Sequence, residues 1–408
     1  MSKIRSAIAL SDLHLGKEKG YLYSKNPKYK KNRDSVLTLL QSLGAQDELI
    51  LVGDFLELSL SGHNEIYNEV KAFFTILAET GPYKRIIFIP GNHDHHFWRR
   101  LGEQVYINGK ISQGQDPPDH EEYPFCFVDE RFSSNDPKLP CKIILEELWP
   151  KNKPKPEFVI KYPHHLVKVV DKDKEENYLF THGHFLEDLF KPVNYLIDPA
   201  HIEELEAFNN VWLEAFDYHL GHAGRLSETV RVLVKSFEKG GKEAKKKVRE
   251  VLKAIYLNLK RKLKLCWFKA WLVRLGMKLL VKKIPLEPKS GLFKVPSIDE
   301  NLKKSIRKYI EKYIVKRYKK GKAIEYHFPV DQNIPTPFTF VFGHTHRPIR
   351  GDDIEKAEVT VLDKKYPLAN TGGWMRTDGT GKVNGENAGV LVIDKTGARW
   401  ETLEGRLE

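Results

Sequence analysis

Apolar residues near the start of the chain fall into short consecutive runs separated by helically spaced sets. The runs at residues 4–10, 48–52 and 85–89 read as strands covered on both faces, since a half-exposed strand would alternate apolar with polar. Between them, Val36, Leu37, Leu39, Leu40 and Leu43 have helical spacing, opened by Asp34 and closed by Gly44. Ile66, Val70, Phe73, Phe74 and Leu77 predict a second helix over 64–78. Strand, helix, strand, helix, strand is the opening of an α/β fold.

From about 105 to 156 the pattern dissolves into Pro, Gly and charge, which predicts an irregular surface insertion. Short strands return at 158–160, 166–170 and 178–181, the last two as a hairpin. From 199 to 322 the period is helical, with candidates at 202–220, 226–237, 244–281 and 298–318. Strands resume at 338–342, 359–362, 368–371, 388–393 and 398–403. The expected organisation is one α/β sandwich in two parts, residues 1–198 and 335–408, interrupted by a helical insertion at 199–334.

The 408 residues are 41% hydrophobic and 30% charged, a globular balance that excludes a disordered chain. Cys126, Cys141 and Cys266 lack CxxC spacing, which excludes a disulfide framework and a thiolate zinc knuckle. A strand beginning at Ile4 leaves no room for a secretory leader, so a cytoplasmic protein is expected. Charge changes the picture more. Residues 231–325 hold 30 Lys and Arg against 8 Asp and Glu, a local net charge of +22, while the whole chain carries +12. Within that segment Trp267, Phe268 and Trp271 alternate with cations. Three readings follow: a helix packed on the core, a helix lying on an anionic membrane with the protein peripheral there, or a surface for nucleic acid phosphates.

The chemistry sits where strands stop. Asp12 and His14 follow the first run, Asp54 the second, and Asn92, His93 and Asp94 the third; His182 follows 178–181, and His344 and His346 follow 338–342. Residues at i, i+2 share a side if the backbone stays extended, so each pair can address one site. Carboxylates, imidazoles and one amide, without thiolate, suit Mn²⁺, Fe or Zn²⁺, and seven ligands suit two divalent ions. His93 is spare as a ligand and fits a general acid, oriented and kept cationic by Asp94, which also fits the N-cap of a following helix. His184 and Arg347 are candidate substrate contacts.

The order D-x-H, G-D, G-N-H-D, H, G-H-x-H resembles the calcineurin-like metallophosphoesterases, over about 4–101, 158–187 and 338 to the end. The resemblance implies a β-sandwich flanked by helices. It implies that Asp12, His14 and His346 hold one ion, that Asn92, His182 and His344 hold the other, and that Asp54 bridges. It implies hydrolysis of a phosphoester or pyrophosphate by a metal-bridging hydroxide. Asn370, Thr371, Gly372, Gly373 and Trp374 resemble a further family strand, with Gly373 in place of Ser. The helical insertion is distantly similar to that of UDP-2,3-diacylglucosamine pyrophosphatases, which have Arg at the position of His93, and suggests a lipid-linked or nucleotide substrate. DNA-repair nucleases keep Gly-Asn-His-Asp, which leaves a nuclease as the alternative. An inactive protein-binding scaffold is opposed by the complete ligand set.

Overall fold

The structure, a computed structural model, describes residues 2–18, 20–58, 61–103, 107–117, 145–171, 174–186, 300–315, 336–349, 357–375 and 388–403, with Tyr218, Lys246 and Lys253 as single positions. The chain divides into two compact units, Met1–His219 with Pro296–Glu408, and Leu220–Val295. The sheets, helices and site described here belong to the first. The helix expected at 226–237, and Trp267, Phe268 and Trp271, lie outside the described residues, as do the helices at 202–220 except Tyr218 and at 244–281 except Lys246 and Lys253.

In chain order the elements are β1 (Ser2–Ile4), β2 (Ala7–Leu10), α1 (Tyr29–Leu43), β3 (Gln46–Val52), α2 (His63–Thr80), β4 (Tyr83–Ile89), α3 (His95–Glu103) and α4 (Gly109–Ser112). They continue with β5 (Glu157–Ile160), β6 (His165–Asp171), β7 (Lys174–Thr181), a 3₁₀ turn (His184–Leu186) and α5 (Glu300–Tyr309), which runs into a π turn (Ile310–Val315). Last come β8 (Thr339–Phe342), β9 (Glu358–Val361), β10 (Lys364–Asn370), β11 (Gly389–Asp394) and β12 (Gly397–Thr402). They form two six-stranded sheets, ordered β1-β6-β7-β8-β10-β9 and β12-β11-β2-β3-β4-β5.

Consecutive apolar residues serve opposite faces. Ala7, Ala9, Ile50, Val52, Ile87 and Ile89 from one sheet share a core with Val167, Val169, Tyr178, Phe180 and Val341 from the other. Their neighbours Ile8, Leu10, Leu49, Leu51, Ile86 and Phe88 face the outer core with Val36, Leu39 and Leu40 of α1 and Ile66, Val70, Phe73, Phe74 and Leu77 of α2. This is the α/β sandwich that the pattern predicts, and the first three runs are parallel as expected.

Three boundaries differ. The run at 4–10 is two strands in different sheets: β1 pairs with β6, and β2 with β3 and β11. The break falls at Arg5, whose amide donates to the Asp47 carboxylate at 2.7 Å instead of continuing a ladder. Helix α1 begins at Tyr29, ahead of Asp34, because Asn32 is buried and donates to Tyr21 O at 2.7 Å. The end of the 105–156 segment is core, with Trp149 tilted on Phe74 and edge-on to Phe158 at 5.6 and 5.9 Å. No described helix is long and apolar enough to cross a membrane.

Candidate metal centre

Strands β2, β3 and β4 are parallel neighbours, and β7, β8 and β10 are parallel in the other sheet, so six carboxyl ends deliver loops to one region. Beyond the strands these loops stay zipped together. Asp12 N donates to Gly53 O at 3.0 Å, His14 N to Asp54 O at 2.8 Å and Gly343 N to His182 O at 2.9 Å. Trp374 N donates to Asp12 O at 3.0 Å and His344 N to Asp12 Oδ2 at 2.9 Å, which joins the two sheets' loops.

The backbone does not stay extended, as the i, i+2 reading assumed. Asp12, His14, Asp54, His344 and His346 have φ of 54°, 45°, 49°, 63° and 53°. Asp and His tolerate the left-handed region better than most residues, yet each such position costs about 1–3 kcal/mol and persists only where surroundings over-determine it. The zipped loops supply that constraint. Two glycines make room: Gly53, at φ 79°, would drive a Cβ into the His182 ring, and Gly91 would bring one within 2.5 Å of Asp54 N.

The structure brings all seven predicted ligands together. Asp12, His14 and His346 form one group, and Asp54, His182 and His344 another. Asp54 Oδ2 faces both, 3.6 Å from His14 Nε2 and 3.4 Å from His182 Nε2. His182 Nε2 is also 3.1 Å from Asn92 Oδ1 and 3.2 Å from His344 Nδ1. On the other side, His14 Nε2 lies 3.4 Å from His346 Nε2, which is 3.2 Å from Asp12 Oδ1.

The hydrogen bonds show why cations fit here. His182 Nδ1 lies 2.9 Å from Val52 O, and a carbonyl only accepts, so Nδ1 carries the proton and Nε2 of the neutral ring is a lone pair. That lone pair faces the Asp54 carboxylate and an amide oxygen. His14 Nδ1 likewise donates to Glu57 Oε2 at 3.0 Å, which leaves its Nε2 bare toward Asp54 and His346. Asp12 Oδ1 is buried and accepts no hydrogen bond among the described residues. Lone pairs converging on lone pairs need a positive charge between them. Burial opposes a charge on His182, yet Asp54 and Asp12 push its pKa up to about 10. Burial opposes the charge on Asp54 too, and the imidazoles His182, His93 and His14 still hold its carboxyl well below the usual range. Divalent metal bound by these groups would satisfy the same demand.

His93 is oriented by Glu57, which the sequence reading missed, and not by Asp94. Its Nδ1 is 2.7 Å from Glu57 Oε1, and its amide donates to Asp54 Oδ1 at 2.8 Å. Burial would lower its pKa, but Glu57 and Asp54 outweigh that and push it up to about 9. Glu57 also takes Lys17 Nζ at 3.0 Å on Oε2, so the grouping of His14, Glu57 and His93 is a proton-sharing network. Asp94 instead turns its carboxyl inward, accepting from the amides of Gly91, Phe55 and Leu56 and stapling the two loops. Burial and the neighbouring Asp54 push its pKa up to about 7. Its carbonyl, not its side chain, meets the amide of Phe97 at the start of α3.

Glu57→Gln is expected to lower turnover roughly 10–100-fold and to weaken retention of the ion held with His14. Steady-state kinetics in excess metal, beside a metal titration, checks this; wild-type values in both would remove Glu57 from the site.

His184 packs in the interior beside His182. It is buried, stacked near Tyr162 and tilted on Phe185 at 4.0 Å, with its ring 5.5 Å from His182, so it backs that ligand. Arg347 is exposed one residue beyond His346. Of the remaining histidines, His96 stacks on Tyr218 at 3.5 Å, and His164 lies 2.9 Å from the Tyr309 hydroxyl of α5.

Parallel strands delivering carboxylates and imidazoles to one region fit a metal-dependent hydrolase of the α/β sandwich class. The calcineurin-like phosphoesterase profile matches residues 6–239, more than half of the sequence, and the chain belongs to that family. It is accordingly a phosphoric ester hydrolase. His344 and His346 lie beyond the matched span and are tied to it by their contacts with His182 and Asp12. None of the curated proteins compared with the chain matches it.

Proposed function

We propose that the chain binds two divalent ions and uses them to hydrolyse phosphoester or pyrophosphate bonds in a lipid-linked or nucleotide substrate. The observation that carries this reading is the single oxygen, Asp54 Oδ2, facing both ligand groups. Asp12, His14 and His346 would hold one ion and Asn92, His182 and His344 the other. Mn²⁺ fits the oxygen and imidazole donors, with Fe or Zn²⁺ able to replace it. When bound, such a pair supplies Lewis acidity and an activated water at neutral pH. His93, fixed through Nδ1, presents Nε2 to donate a proton to the leaving oxygen. Arg347, exposed one residue beyond His346, would contact substrate phosphate.

A second reading, action on nucleic acid, is favoured by α5. Leu302, Ile306 and Tyr309 are buried in the core, so the exposed face offers Lys304, Arg307 and Lys308 to phosphates by charge and no apolar stripe to lipid. Peripheral attachment of a cytoplasmic protein to a membrane rests on Trp267, Phe268 and Trp271. Sedimentation with anionic vesicles, lost in Trp267→Ala/Trp271→Ala, tests that branch.

Metal analysis of the purified protein should give two ions per chain, with hydrolysis of bis-p-nitrophenyl phosphate or p-nitrophenyl phosphate in Mn²⁺. One ion or none, with no hydrolysis of either ester, sinks the reading and revives the scaffold.

A further inference from the structure

Lys17 stands beside the metal centre on a turn that leaves it little freedom. Its amide donates to His14 O at 2.9 Å, its carbonyl accepts from Gly20 N at 2.8 Å, and Gly16 before it sits at φ 98°. Its ammonium is 3.0 Å from Glu57 Oε2, the oxygen that also accepts His14 Nδ1, while Oε1 of the same carboxylate accepts His93 Nδ1. The carboxylate is fully buried, whereas the Lys17 and His93 side chains keep 23% and 21% of their surface exposed. Glu57 therefore lies behind two partly exposed groups that it holds side by side. A group that reaches His93 therefore approaches the carboxylate that also holds the Lys17 ammonium.

With Nδ1 committed to Glu57, Nε2 is the nitrogen that His93 offers to a leaving oxygen. The group attached to that oxygen departs next to a fixed ammonium, a compact charge with three donors that suits phosphate. We propose that Lys17 binds an anionic phosphate carried by the leaving half of the substrate, so that the site selects phosphoanhydrides over esters with uncharged leaving groups. The proposal rests on the hydrolase reading above. In the reaction, water oxygen bonds to one phosphorus, the bond from that phosphorus to the bridging oxygen breaks, and the electron pair leaves with the second phosphate, which takes up the proton from His93, while the proton released by the water returns His93 to its charged form. The charge on that departing phosphate is what a phenol or simple alcohol lacks.

The test compares wild type, Lys17→Met and Lys17→Arg, each loaded with Mn²⁺ and assayed for metal content, on a nucleoside diphosphate sugar and on bis-p-nitrophenyl phosphate. Lys17→Met is expected to lower the ratio of kcat/KM, anhydride over ester, at least tenfold and mainly through KM, with Lys17→Arg within about threefold of wild type. Calorimetric binding of α,β-methylene ADP, which is not hydrolysed, should weaken at least tenfold in Lys17→Met at equal metal content. Equal losses on both substrates with unchanged analogue binding would overturn the proposal and leave Lys17 as a positioning residue for Glu57. A wild type that cleaves only the ester overturns the substrate class, and one that cleaves neither overturns the hydrolase reading itself.

Discussion

Asp54→Ala is expected to retain no metal above background and to hydrolyse no phosphoester, whereas His93→Ala keeps its metal and loses roughly 10²–10⁴ in turnover. The two residues are neighbours, and the contrast comes from what each oxygen or nitrogen touches. Asp54 Oδ2 serves both ligand groups, so its removal takes the shared negative charge from two sets of imidazoles at once. Asp54 Oδ1 accepts the His93 amide at 2.8 Å, so truncation also unpins the loop carrying Asn92 and His93. Asp54→Asn separates these effects, because an amide oxygen can keep the loop bond while the charge is gone. It should fold like wild type and bind metal far more weakly. His93 meets the centre from the exposed side and is not among the lone pairs around His182, so its loss leaves the ligands in place. Metal content by elemental analysis, beside turnover on an ester with a poor leaving group, reads both variants. Two ions in Asp54→Ala would end the bridging role, and full activity in His93→Ala would end the acid role.

The ligands were legible because each follows an apolar run that stops abruptly, and a polar residue stranded at the end of a buried strand has few ordinary uses. Less legible was how the chain turns there. Extended geometry suffices to put Asp12 and His14 on one side, but the loops achieve it in the left-handed region, held by long-range bonds to Gly53, Asp54 and Trp374 that no local pattern encodes. Glu57 escaped for a related reason. Adjacency in sequence points to Asp94 as the partner of His93, yet successive residues in a turn point apart, and the partner comes from the β3 loop. The available signal was an acid three residues after Asp54, next to Phe55 and Leu56, where a carboxylate in apolar company must find a donor. Trp149 shows the same limit: Pro and charge around it read as surface, while its ring packs against both Phe74 and Phe158.

A second large effect is expected far from the metal centre, in acid. Glu48 of β3 and Arg85 of β4 are register partners in one sheet, and His165 opens β6 in the other. All three meet: Arg85 Nη2 donates to Glu48 Oε1, and His165 Nε2 lies 2.8 Å from Glu48 Oε2, with both the histidine and the carboxylate fully buried. The cluster therefore bridges the two sheets. Burial pushes His165 down to about 4, against the pull of Glu48, so near neutral pH the ring is uncharged and donates to the carboxylate, whose charge Arg85 balances. Burial works against the charge on Glu48, but His165 and Arg85 outweigh it and hold its pKa down to about 2. Both folded values lie below their unfolded ones, so the unfolded chain binds more protons and stability is lost as pH falls. The histidine contribution is complete above about pH 6.5 and is lost on the way down to about 4; the glutamate contribution goes between about 4.5 and 2. Each is worth on the order of 3 kcal/mol. His165→Leu removes the first titration and leaves Glu48 with Arg85. Its denaturation free energy, measured without metal, should change less than that of wild type between pH 7 and 4.5, and parallel curves would exclude His165 as an acid-sensitive link. Arg85→Met should cost more at neutral pH, about 3–5 kcal/mol, because it strands a buried carboxylate beside an uncharged ring.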